Sequence, residues 1–230
     1  RPVLYDALSG GGGWDFVKHM DDDLNFRSAE AHALLERPWK ALDPRSALVY
    51  VYEPISWLLK SVVAAGAHAL GFDQDSGEAS LGYRLVALIL HGINCILLAL
   101  IAARILHFAG GKSSDHGHTE STVKQGEASQ SRASVLACAL LPACAFAMHP
   151  VNVEVVCWPS CLPYALCLCL CLASLYVHMQ VALPEQSGLR RGDRGTTPPA
   201  RAAYYSPALY ALAALSKSAA VLWPIAVALV

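Results

Sequence analysis

Long apolar runs separated by short polar stretches set the plan of this chain. Tyr83 to His107 is the clearest run. As a helix it reaches ~37 Å at ~1.5 Å per residue, enough for a hydrocarbon core of ~30 Å. Ala133 to Met148 and Cys161 to Val181 read as a second and a third span, with Val151 to Ser160 as a short turn between them. Tyr204 to Leu215 and Ser218 to Val230 are shorter apolar runs interrupted by Lys217. They fit one long span with a buried lysine, or two short helices meeting at a turn with Lys217 at its tip.

Upstream the pattern changes. Pro54 to Phe72 has helical spacing, with Ile55, Leu58, Leu59, Val62, Val63, Leu70 and Phe72 apolar and Ser56, Lys60, Ser61, Ala67 and His68 covering much of the other side. Proline suits its first turn. Such a helix lies in a membrane interface; the competing reading is a span from Ala47 to Leu70. Asp15 to Asp43 is polar, with Pro38 and Pro44 as breakers and a short helix expected around Ala29 to Leu35. Arg1 to Gly13 ends in four glycines and reads as a flexible exit from something upstream.

Composition strengthens the membrane reading. The chain is 55% hydrophobic and 15% charged, with mean hydropathy +0.38, whereas soluble domains carry roughly a quarter charged residues. The formal net charge of -1 gives no electrostatic footprint for nucleic acid. The chain opens at Arg1 and stops inside an apolar run at Val230, so a fragment of a longer protein is expected. The predicted fold class is an all-α polytopic membrane protein. Residues 1–82 form an acidic loop with an interfacial helix over 54–72, and residues 83–230 a transmembrane bundle with spans near 83–107, 133–148, 161–181, 204–216 and 218–230. Eight cysteines lie mostly in apolar runs and read as small hydrophobes between helices, with a Cys157–Cys161 disulfide conceivable.

The loop from Pro184 to Ala203 holds Arg190, Arg191, Arg194 and Arg201 against Glu185 and Asp193, which marks it as cytosolic. Counting spans from there puts the turn at His149 to Glu154 on the other side, with Asp73, Asp75 and Glu78. If Pro54 to Phe72 lies flat, Asp21, Asp22 and Asp23 join them, and Lys217 does so at a hairpin tip. Adjacent carboxylates repel one another unless a cation, proton or substrate offsets them, so this triplet is either a solvated acidic turn or a catalytic cluster. His91 and Asn94 lie three apart inside the clearest span and share a helical face. They serve either an interhelical hydrogen bond or a substrate. His116 and His118 read as solvated loop residues.

The order of these stretches resembles a known family. Asp21-Asp22-Asp23 is followed by Tyr52-Glu53-Pro54-Ile55-Ser56-Trp57 and Leu90-His91-Gly92-Ile93-Asn94. His149-Pro150-Val151-Asn152-Val153-Glu154 and Leu215-Ser216-Lys217 come after. The set is similar to the transmembrane-and-tetratricopeptide-repeat protein O-mannosyltransferases, polytopic glycosyltransferases of the GT-C type. The resemblance implies a GT-C-like helical bundle in the endoplasmic reticulum membrane, with a luminal loop, an interfacial helix and tetratricopeptide repeats downstream. It implies transfer of mannose from dolichyl-phosphate-mannose to a Ser or Thr hydroxyl of a luminal protein. Two positions depart from the pattern. Cys161-Leu162-Pro163-Tyr164 carries no charge where the family has a basic residue followed by an acidic one, and Glu53 stands where the family often has His or Arg. Altered donor recognition, or weakened or lost activity, is the expected consequence, and a non-catalytic membrane scaffold or transporter-like bundle is the alternative.

The residue types suit that chemistry. An acceptor hydroxyl is a poor nucleophile and needs a general base, for which Asp21 or Asp22 is the candidate. The leaving lipid phosphate is a stable anion, so a cation beside it helps more than an acid would. Lys217 is that candidate, against a snorkelling lysine at a helix end. His149, Glu154, His91 and Asn94 are candidates for positioning sugar or phosphate. Without the resemblance, His149-Pro150 reads as a helix terminator. No cofactor is required, and a divalent cation at the aspartates is compatible with the mechanism but not demanded by it.

Overall fold

The computed structural model of the chain describes residues 25–26, 28–46, 51–72, 77–111, 137–182 and 200–228. Among them the regular elements are helices. The first, α1 (Ala29–Glu36), starts at Ser28, whose Oγ accepts from the Ala31 amide at 3.1 Å and satisfies one orphan donor of the first turn. It stops at Arg37, because the residue before a proline is pushed out of the α region. Two 3₁₀ turns follow, Pro38–Leu42 and Pro44–Ser46. After them comes α2 (Pro54–Ala69), then the long α3 (Gly77–Gly111).

The chain returns through α4 (Ala137–Ala147) and α5 (Pro150–Cys157), which are bent by 58° against each other. A 3₁₀ turn, Pro159–Cys161, leads into α6 (Leu162–Ala182). Next is α7 (Ala200–Ser216), a break at Lys217, the 3₁₀ turn Ser218–Leu222 and α8 (Trp223–Ala228). Ser80–Phe108 and Pro159–Gln180 are long and apolar enough to cross a membrane, and a third crossing is available if α4 and α5 act as one bent span. The chain is therefore an all-α protein with the helices of a membrane protein. On α3, Leu85, Leu88, Ile89, Ile93, Ile96 and Leu100 are all exposed, a surface that suits lipid and not water.

Side-chain pairs fix the helix directions. Asn94 bonds the Ala165 carbonyl, and Ile101 packs with Leu172, so α3 and α6 run parallel. Phe146 meets His91 and the Cys157 carbonyl meets Arg84, so the α4–α5 pair runs the opposite way beside α3. Ser206 pairs with Ser174, and the Lys217 carbonyl with Cys167, so α7 is antiparallel to α6. Beyond Lys217 the direction reverses again. Ala220 packs with Cys167 and Cys171, while Trp223 and Val227 reach the cluster of Leu172, Leu175 and Met179. The two short apolar runs thus form a hairpin with Lys217 at the tip, and not one span with a lysine in its middle.

α2 lies across the end of the bundle where that tip sits. Near its start, Ser56 Oγ donates to the Ser216 carbonyl at 2.7 Å. About one turn later, Tyr83 Oη donates to the Lys60 carbonyl at 3.4 Å, and Leu59 and Val63 pack on Tyr83, Ala87 and Leu162. At 16 residues it is ~24 Å long, short of the ~30 Å needed to cross. It ends at Ala69 and not at Phe72, because Gly71 adopts φ +84° and closes a Schellman motif. In that motif Phe72 N donates to Ala67 O at 3.0 Å and Gly71 N to His68 O at 2.9 Å.

The polar side of α2 faces the protein. Lys60 is 1% exposed and Ser56 and Ser61 are buried, while Val62 on the other side is 68% exposed. Lys60 Nζ donates to Asn25 Oδ1 at 2.8 Å and stands 4.2 Å from the Trp57 ring centroid and 5.0 Å from that of Phe26.

Two other expectations change. Val151 to Ser160 is not a turn, since most of it is the helix α5. Pro150 ends one helix but equally fits the first position of the next, and His149 Nδ1 caps that new start by accepting from Val151 N at 3.3 Å. If this region crosses a membrane, it does so as the bent pair α4–α5 and not as one straight helix ending at Met148. Cys157 and Cys161 are free thiols, while Cys167 and Cys171 are buried as small residues between helices.

Candidate functional site

The chemistry-bearing groups that meet are at the hairpin tip. Lys217 has extended backbone, φ -158° and ψ 135°, between α7 and the following 3₁₀ turn. Its carbonyl accepts the Cys167 thiol at 3.8 Å, and its amide donates to Ala213 O at 3.0 Å, so the tip is held on α6 and α7. Glu53 immediately precedes α2 and does not cap it with its side chain. That carboxylate is directed instead at the tip, where Oε1 lies 2.6 Å from Lys217 Nζ. Tyr164, in the first turn of α6, sets its ring centroid 4.5 Å from the same ammonium. Glu53 is 8% exposed as a residue, and the Lys217 side chain keeps 20% of its surface in contact with solvent. The site is therefore a partly exposed cation held between a buried carboxylate and the ring of Tyr164.

Its electrostatics follow from that packing. Burial alone would lower the Lys217 pKa. The hydrogen bond and charge of Glu53, with Tyr164 alongside, outweigh burial and raise it above the ordinary lysine value. Lys217 is thus an ammonium at neutral pH. The stabilisation it draws from Glu53 is complete below the ordinary lysine pKa and is lost only as pH rises through the raised value.

The remaining sequence candidates among the described residues do not meet Lys217. Asp21, Asp22 and Asp23 lie outside the described residues, as do Asp73, Asp75, His116, His118, Arg190, Arg191 and Arg194. Asn25, two positions beyond Asp23, is bonded to Lys60 of α2. His91 and Asn94 serve different neighbours. The His91 ring lies 5.2 Å from that of Phe146, and Asn94 Nδ2 donates to Ala165 O at 3.2 Å between α3 and α6. Asn94 Oδ1 is buried with no hydrogen-bond partner among the described residues. His149 is exposed and caps α5, and Glu154 is exposed on the same helix. Among the described residues no hydrogen bond or ion pair ties either of them to Lys217.

Glu53 and Tyr164 are the site residues that sequence reasoning did not assign. Their only signal was that both stand where the sequence departs from the family it resembles. Among the described residues, no group of three or more His, Cys, Asp or Glu side chains is placed to hold a metal ion. No family model matches the chain, and no curated protein or solved structure matches it.

Proposed function

We propose that the chain is the membrane-embedded part of a GT-C-type protein O-mannosyltransferase of the endoplasmic reticulum. It takes mannose from dolichyl-phosphate-mannose and passes it to a Ser or Thr hydroxyl of a luminal protein. Asp21 or Asp22 removes the hydroxyl proton, and the oxygen attacks the anomeric carbon from the face opposite the phosphate. The carbon–phosphate oxygen bond breaks with inversion, and the leaving phosphate carries its electron pair to a position beside Lys217.

The observation that carries this reading is the meeting of α2 with the Lys217 hairpin tip, through Glu53 and Ser56, at one end of the bundle. The same α2 binds Asn25, the near neighbour of the acidic triplet. A base and a cation supplied by distant parts of the sequence need such a common floor. Asp22→Asn in the full-length protein is expected to abolish mannose transfer while leaving membrane insertion unchanged. Transfer at the wild-type rate by the purified, folded variant would remove the base from the scheme.

The second reading is a non-catalytic membrane scaffold. One observation favours it: Lys217 is already neutralised by Glu53 at 2.6 Å. Mannose transfer from the lipid donor by purified protein separates the two readings.

A further inference from the structure

We propose that Glu53 guards Lys217, so that a lipid-borne phosphate gains the ammonium only by displacing the Glu53 carboxylate. The proposal rests on the reading of Lys217 as the phosphate-binding cation. A bare ammonium at the end of an apolar bundle would attract any anion within reach, phospholipid headgroups included. Here Oε1 of a buried carboxylate is 2.6 Å from Nζ, and the pair is neutral. An anion entering beside the intact pair meets the Glu53 charge as well as the Lys217 charge and gains little.

The geometry lets the guard leave without dismantling the fold. Glu53 is one residue outside α2, at φ -134° and ψ 61°, and uses no side-chain cap bond that the helix would lose. Val51 and Tyr52 before it are exposed, and Tyr52 Oη donates to Leu42 O at 3.0 Å, so the movement is of the Glu53 side chain and not of the segment. The floor stays in place when it moves, because Ser56 remains bonded to Ser216 O and Pro54 is buried. Tyr164 keeps its ring on the ammonium, so Lys217 is held in position while one anion replaces another. The exchange selects for a ligand with a strong, compact negative charge that reaches the tip at membrane level. A phosphate on an isoprenoid chain meets both requirements.

The test measures binding of dolichyl phosphate to the full-length protein in detergent by native mass spectrometry, with inorganic phosphate as the free-anion arm. Wild type is compared with Glu53→Gln, with Glu53→Ala, and with the double variant Glu53→Gln/Lys217→Met. Thermal melting confirms that each is folded. Removing the guard is expected to tighten dolichyl phosphate binding about 10-fold, as for loss of a competing charge at close range. The double variant is expected to lose binding, and inorganic phosphate to bind none of the four. If folded Glu53→Gln and Glu53→Ala bind no tighter than wild type while the double variant still loses the ligand, the guard is overturned and Lys217 keeps its role. If the double variant binds as well as Glu53→Gln, Lys217 is not the phosphate group and both readings fall. Equal tightening for inorganic phosphate would overturn the selection for a lipid-borne anion.

Discussion

Glu53 and Lys217 are largely withdrawn from solvent, and each depends on the other. Removing only one partner strands the other charge, which costs about 3 kcal/mol or more in a buried pair. Lys217→Met should therefore lower stability by about that amount, and Glu53→Gln/Lys217→Met should recover most of it. Thermal unfolding of the two variants in one detergent checks this; equal losses would mean that a stranded Glu53 carboxylate is not what destabilises Lys217→Met. Neither partner was legible as half of a pair. Periodicity places residues on helix faces but says nothing about which helix ends meet. What the sequence did mark was incongruity, a carboxylate at position 53 and an uncharged ring at 164. Both incongruous residues turn out to touch the same ammonium.

At the scale of single elements, two contacts offer clean tests. Gly71 holds φ +84° and a Cβ there would meet nothing within 4 Å, so Gly71→Ala changes conformational energy without a clash. It should cost about 1–2 kcal/mol, with Gly71→Asn milder, read from thermal melting. Between α6 and α7, Ser174 Oγ donates to Ser206 O at 2.8 Å and Ser206 Oγ to Ser174 O at 3.0 Å. Membrane interhelical bonds average about 0.6 kcal/mol, so Ser174→Ala should be mild. Ser174→Leu should be far worse, because the bonded carbonyls require close helices. Similar losses for the two would show that spacing is not what the serines provide. The long helices α3 and α6 were legible because length and apolarity suffice to define a span. Helix α5 was not, since His149-Pro150 gives the same signal for an end and for a beginning. The amphipathic pattern of α2 was legible, but not that Lys60 would be buried while Val62 faced outward.

For the molecule as a whole, the alternation of α3, the α4–α5 pair, α6 and α7 puts α2 and the Lys217 tip at one end. The sequence contains no Asn-x-Ser/Thr acceptor site, so inserted sites report cleanly. One placed in the glycine run Gly10 to Gly13 should be glycosylated in microsomes, and one placed between His118 and Gly126 should not. Modification of the second site alone would invert the orientation and separate the acidic triplet from a luminal reaction. The two helices long and apolar enough to cross a membrane, α3 and α6, were foreshadowed by the spacing of the apolar runs. The closing of α2 over the end of the bundle depended on contacts between residues far apart in the chain.

The Glu53–Lys217 pair also sets an order of events during synthesis. A ribosome releases Glu53 before the first long helix exists and delivers Lys217 only after α7 has been made. Through that interval the carboxylate waits without its counter-charge, and the cap over the bundle has nothing to latch onto. Chains halted just short of Lys217 should therefore be the ones that membrane quality control removes, whereas chains only slightly longer should persist.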